Sequence, residues 1–135
     1  MKMQSTPQTS NINGPVPLSF CILLHPDGKI DRLIDLPLDD YLAAIPGVPL
    51  AWIDCSTKDD EKEIEKIAQA AGFIKIPIPK LTTGFYSAYE DYDTELGIML
   101  PSVTVRAEKM TVHPLFILIR DNFVITVHSD EINRL

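Results

Sequence analysis

The stretch Leu115 to His128 reads LFILIRDNFVITVH: an apolar run, the tight polar link Arg120-Asp121-Asn122, and a second apolar run. Apolar segments on both sides of so short a turn specify a β-hairpin, Phe116–Ile119 against Phe123–Val127. A second hairpin stands near the front of the chain. Leu18 to Leu24 is continuously apolar, His25-Pro26-Asp27-Gly28 follows, and Lys29–Ile34 returns. Proline presets φ for the second position of a turn, and glycine supplies a positive φ at its end. Leu38 to Ile45 then reads as a short helix closed by Pro46-Gly47.

Leu50 to Cys55 has the composition of a buried strand. Ser56 and Thr57 follow, with Asp59 and Asp60 three residues on from each, close to a capping box with acids where the helix dipole favours them. Ile64, Ile67, Ala68 and Ala71 fall at helical spacing, while Glu61, Lys62, Glu63, Glu65 and Lys66 face outward as a solvated surface. Gly72 is the stop. Strand, helix and then Phe73–Ile78 form a βαβ-like unit, which favours a parallel pair with a right-handed crossover. Pro77 and Pro79 confine that returning segment to an edge or an irregular path. Tyr86–Tyr92, Glu95–Val105 and Thr111–Ile119 read as further extended segments, with a bulge or break at Pro101 and a strand start at His113-Pro114. The class is α/β: a mixed sheet with one βαβ unit plus antiparallel hairpins.

With 135 residues, 45% of them hydrophobic and 23% charged, the chain suits one folded domain. Met1 to Pro17, rich in Gln, Ser, Thr, Asn and Pro, reads as a flexible arm before a domain from residue 18 to 135. The net charge is −7 and the twelve basic residues are scattered. Neutralising nucleic-acid phosphates or anionic lipid needs clustered Lys and Arg, so both partners are excluded as expectations. The opening lacks a signal peptide's charged start and apolar core, and no run approaches the ~20 apolar residues of a membrane span. Cys21 and Cys55, each inside an apolar run, read as free buried thiols in a reducing compartment. Ser129-Asp130-Glu131 announces a helix, yet Ile132 to Leu135 are too few to sustain one. The expectation is the stump of a longer helix; a short terminal turn packed on the sheet is the alternative.

Catalytic signatures are missing: no GxSxG, P-loop, GxGxxG or HExxH. His25, His113 and His128 lack a second ligand at metal-binding spacing. The tract Tyr86, Tyr89, Glu90, Asp91, Tyr92, Asp93, Glu95 gathers carboxylates, but strand alternation splits neighbours between faces, and the spacing is not that of an EF-hand. An alternative enzyme site would draw on Asp54, Cys55, His128 and this tract, because α/β sites lie at the carboxyl ends of parallel strands. Otherwise no catalytic or cofactor-binding residue is assigned, and metal ligands remain unknown.

Three stretches together resemble the N-terminal cytoplasmic domain of the CorA magnesium-transporter family. Ala51-Trp52-Ile53-Asp54, followed by a capped amphipathic helix ending Ala71-Gly72-Phe73, is similar to that family's W-I-D/N strand and helix closing on F-G-I/L. Tyr89-Glu90-Asp91-Tyr92 before Leu96-Gly97-Ile98-Met99-Leu100 resembles its aromatic–acidic strand and the apolar strand after it. Leu115 to His128 is similar to its apolar hairpin, and is the most specific of the three. The resemblance implies an α/β/α sandwich, homopentameric assembly, and a location on the cytoplasmic face of a membrane reached only through C-terminal helices outside this chain. It implies a gating and assembly role in Mg²⁺ or Co²⁺ transport, without enzyme activity and with no cofactor in the domain itself.

One departure bears on the ion. Where relatives with cytoplasmic regulatory metal sites continue into adjacent acids, this chain has Lys75-Ile76-Pro77-Ile78-Pro79-Lys80. A cation there opposes Mg²⁺, so no metal ligand is carried over, and a ZntB-like zinc relative remains open. A soluble cation-sensing module is the further alternative.

Overall fold

A computed structural model describes residues 18–57, 61–82 and 88–129. Its centre is a seven-stranded mixed sheet: β1 (Ser19–Leu24), β2 (Ile30–Ile34), β3 (Leu50–Thr57), β4 (Ala88–Asp91), β5 (Glu95–Arg106), β6 (Lys109–Arg120) and β7 (Phe123–Ser129), in the order β2-β1-β3-β7-β6-β5-β4. β3 and β7 run parallel; the other neighbouring pairs are antiparallel. Three helices, α1 (Leu38–Ala44), α2 (Glu61–Ala70) and α3 (Ile78–Thr82), accompany the sheet, with one 3₁₀ turn at Ile45–Gly47.

Both hairpins form where turn chemistry places them. In the first, the His25 N–H donates to Lys29 O at 2.8 Å and Gly28 stands at φ +89°. In the second, Arg120 pairs with Phe123 across Asp121-Asn122. Asn122 then reaches across to the 3₁₀ turn after α1, its Nδ2 donating to the carbonyls of Ile45 at 3.0 Å and Val48 at 2.7 Å.

Alternation along the strands sorts the core. Cys21 and Leu23 of β1, Ala51 and Ile53 of β3, Ile125 and Val127 of β7, Phe116 and Leu118 of β6 and Met99 of β5 are buried on one face. Tyr41 and Ile45 of the α1 region, Ile64 and Ala68 of α2, and Ile78 and Leu81 of α3 close over it in one cluster. The opposite face keeps Leu50, Trp52, Tyr89 and Leu100 exposed. Among the described residues every helix lies on the first face, so they contain one helical layer of the expected sandwich.

The helix α2 ends as its sequence requires. The Phe73 N–H reaches Ala68 O at 2.9 Å and the Gly72 N–H reaches Gln69 O at 3.0 Å, with Gly72 at φ +84°. This is a Schellman close, in which the left-handed residue is glycine because a Cβ there is strained. The proposed cap at Asp59 and Asp60 lies outside the described residues.

Three expectations are corrected. Phe73–Ile78 does not return as the second strand of a βαβ unit. It crosses irregularly and enters α3, and the parallel partner of β3 is β7, delivered by the later β6–β7 hairpin. Pro101 neither bulges nor breaks β5, and His113 lies within β6 rather than at its start. Both follow from one register, Pro101 opposite Pro114. Neither proline can donate, so this is a non-hydrogen-bonded pair whose missing N–H groups would have pointed outward. On those outer sides β4 pairs only as far as Met99 and β7 only as far as Leu115. No ladder bond is lost. The arm, residues 1–17, and the helix start at 130–135 lie outside the described residues; Ser129 is the last residue of β7.

Candidate functional site

The parallel pair β3–β7 carries the principal polar cluster buried in the sheet. Asp54 lies beside Thr126 in register and Ser56 beside His128, with these side chains on the face away from the helices. The Trp52 Nε1–H donates to Thr126 Oγ1 at 2.9 Å, and Thr126 Oγ1–H donates to Asp54 Oδ1 at 2.6 Å. His128 Nε2 lies 2.9 Å and 2.8 Å from the two Asp54 oxygens, and its Nδ1 lies 2.9 Å from the Ser129 carbonyl. Asp54 and His128 are both buried.

The direction of each bond is fixed from the ends. Indole N–H can only donate and a backbone carbonyl can only accept. Thr126 therefore accepts from Trp52 and donates its own O–H to Asp54. His128 must hold a proton on Nδ1 to reach Ser129. The Nε2 position then shares one further proton with the Asp54 carboxylate. The pair shares that proton in a buried contact that is hydrogen-bonded on both sides.

Of the residues suggested for an enzyme, Asp54 and His128 thus meet. Cys55 does not join them: alternation turns it to the helix side, where it shares a 490 Å³ cleft with Leu18, Ser19, Ser56, Thr57, Glu63 and Ile67. Burial, reinforced by the charge of Asp54 and the neighbouring Cys21, pushes its thiol up to about 12. A thiol held protonated is a poor nucleophile. The tract around β4 occupies the sheet edge, four strand spacings or roughly 19 Å from β3. Cys21 is buried and Cys55 half-buried, and both are free thiols.

The remaining histidines stay apart. His25 Nε2 pairs with Asp31 Oδ2 at 2.7 Å near the surface, and His113 sits within β6 with its ring nitrogens out of solvent. Among the described residues no group of three or more His, Cys, Asp or Glu is set to hold a metal ion. In the Lys75–Lys80 stretch, the Lys75 Nζ donates to Thr94 Oγ1 at 3.0 Å, and Pro79 and Lys80 belong to α3.

A feature that no sequence motif announces lies beside that stretch. Glu95, buried at the start of β5, receives the backbone N–H groups of Ile74, Lys75 and Ile76, the bond from Lys75 being 2.8 Å. Burial opposes its ionisation, yet the three amides and the nearby Arg120 outweigh it and hold the carboxyl below its usual range. The loop after α2 is a ring of donors folded around one carboxylate.

Against known proteins, the family model "CorA-like Mg2+ transporter protein" matches residues 49–135. The complete CorA magnesium transporter from Methanocaldococcus jannaschii superposes with a TM-score of 0.56 at 18% identity, over 84% of this chain and 32% of that one. The soluble domain of CorA from the same organism aligns at 22% identity and a TM-score of 0.45, over 84% and 41%. The first superposition establishes a shared fold; the chain spans about a third of that transporter's length. No curated protein matches the sequence.

Proposed function

Because this chain belongs to the CorA-like Mg²⁺ transporter family, we propose that it is the cytoplasmic domain of a divalent-cation transporter, acting in gating and subunit assembly and not in catalysis. The observation that carries the reading is the family match across residues 49–135, which takes in α2, α3 and the strands β3 to β7. In this reading Mg²⁺ is the cargo, with Co²⁺ or Zn²⁺ as the other ions such a transporter would take. The domain holds no cofactor of its own, and its partners are four further copies in a homopentamer. No helix among the described residues is long and apolar enough to cross a membrane, so conduction would fall to other segments of the full protein.

The enzyme alternative draws no support from Cys55, which turns away from the Asp54–His128 pair with its thiol kept protonated. The coding frame beyond Leu135 tests the proposal. It should run on into a long helix and a pair of apolar spans of about 20 residues each. A stop codon after Leu135 contradicts it.

A further inference from the structure

We propose that the outer edge of β5 beyond Leu100 pairs with the same edge of a second copy of this chain, around Thr104. β5 and β6 run on together past their neighbours, since β4 pairs only as far as Met99 and β7 only as far as Leu115. Among the described residues no strand flanks the projecting part on either side. The ribbon turns at Ala107 and Glu108, both left-handed at φ +48° and +64°. Such a turn suits the twist of a hairpin, yet neither residue is the asparagine or glycine that favours it. A two-stranded ribbon is marginal alone in water. This one also leaves Val103, Val105, Met110 and Val112 between 52% and 67% exposed along one face, with Thr104 and Thr111 on the other. It is a sheet short of strands.

Charge selects the edge and the partner. At one end of the sheet β2 holds Arg32 at its centre, and at the other β4 ends in Glu90 and Asp91. Charges of this kind keep a second strand away. From Pro101 to Val105 the projecting β5 carries none. Val103 and Val105 follow Pro101 at alternate positions, so they share its non-hydrogen-bonded setting and turn their N–H and C=O groups outward. An antiparallel copy centred on Thr104 sets Val103 opposite Val105 of the second copy, Thr104 opposite Thr104, and Arg106 opposite Ser102. No like charges meet. On the β6 edge, the equivalent pairing about Thr111 brings Lys109 against His113. The whole chain carries −7, which opposes association, whereas residues 100–115 hold Arg106 and Lys109 against Glu108, a sum of +1. Two copies therefore approach with least repulsion through this ribbon. Their valines, with Met110 and Val112, then form one apolar face across four strands. The contact is two-fold, separate from the five-fold ring of the proposed function and independent of it.

Disulfide trapping tests the register. Opposed Cα atoms of a non-hydrogen-bonded pair lie about 4.5 Å apart, within reach of a disulfide. Under mild oxidation Thr104→Cys is expected to become a covalent dimer. Thr111→Cys in the same ribbon, and the wild type with Cys21 and Cys55, should stay uncrosslinked. Sedimentation equilibrium up to about 1 mM, the range suited to so small an interface, should show wild-type association. Thr104→Lys, which sets two ammonium groups face to face, should weaken it at least about tenfold. A wild type that stays monomeric, an uncrosslinked Thr104→Cys, equal crosslinking through Thr111→Cys, or unchanged association in Thr104→Lys would each overturn the contact. The cysteine variants decide it even where Thr104→Lys does not fold. A five-fold particle without the Thr104 crosslink would overturn it too, and would leave the transporter reading standing.

Discussion

The guanidinium of Arg120, at the end of β6, donates to the carbonyl of Gly72, the left-handed residue that closes α2. The same guanidinium stands 5.9 Å from the centre of the Phe73 ring, which meets Phe123 edge-on at 5.9 Å. A helix stop and a hairpin turn 48 residues apart are thereby fixed to each other.

Gly72→Ala should therefore be costly. An alanine at φ +84° loses about 1–2 kcal/mol to the left-handed backbone, and its Cβ would press on the Arg120 guanidinium. A fall in the urea midpoint equivalent to at least that amount is expected, and Arg120→Ala should remove the steric part in a double-variant cycle. Equal losses with and without Arg120 would show that the two do not meet.

Glu95→Gln should cost about 2–3 kcal/mol, because a neutral amide oxygen replaces a carboxylate at three backbone donors. The sign of its pH dependence follows from the lowered folded value. The stabilisation is complete above the unfolded value of about 4.3 and is lost as pH falls through the lower folded value. Chemical denaturation between about pH 5 and pH 3 should show the wild type losing stability more steeply than Glu95→Gln. Parallel curves would mean the carboxylate is not held by the loop.

Gly97 faces α3 closely enough that a Cβ would lie 2.8 Å from Leu81 Cδ1 and 3.1 Å from Ile76 Cγ2. Gly97→Val should overpack this contact at about 1–3 kcal/mol. Leu81→Ala alone should cost about 2–5 kcal/mol through the cavity it leaves. Combined, they should destabilise by less than the sum, since the valine fills part of that cavity. Strict additivity in thermal unfolding would contradict the docking of α3 on Gly97.

Burial lifts the Cys21 thiol to about 11, and that of Cys55 to about 12. Alkylation requires thiolate. At about pH 8 both should resist iodoacetamide in the native protein and react promptly in urea. Fast native labelling at Cys55 would reopen the enzyme reading.

What could be read from the sequence was what neighbouring residues decide. The stop at Gly72 follows from helical spacing and one φ, and the β6–β7 hairpin from two apolar runs around Arg120-Asp121-Asn122. The parallel partner of β3 could not be found locally, because β7 arrives only after α3 and three more strands. Pro101 was misread because its harmlessness depends on standing opposite Pro114. Asp54 and His128, 74 positions apart, were grouped only as members of a possible enzyme site together with Cys55, which turns to the other face. Their meaning depends on Thr126 and Trp52, which no motif marks. Glu95 was counted merely as one acid in a tract, because the groups that hold it are backbone amides that every sequence has.

Magnesium entry into lipid vesicles carrying the full product of this gene tests the central claim most directly. The account expects saturable Mg²⁺ uptake whose rate changes when residues 18–129 are deleted from a protein that still inserts. Uptake no greater than in protein-free vesicles would contradict the transporter assignment, and uptake indifferent to the deletion would contradict the domain's part in gating.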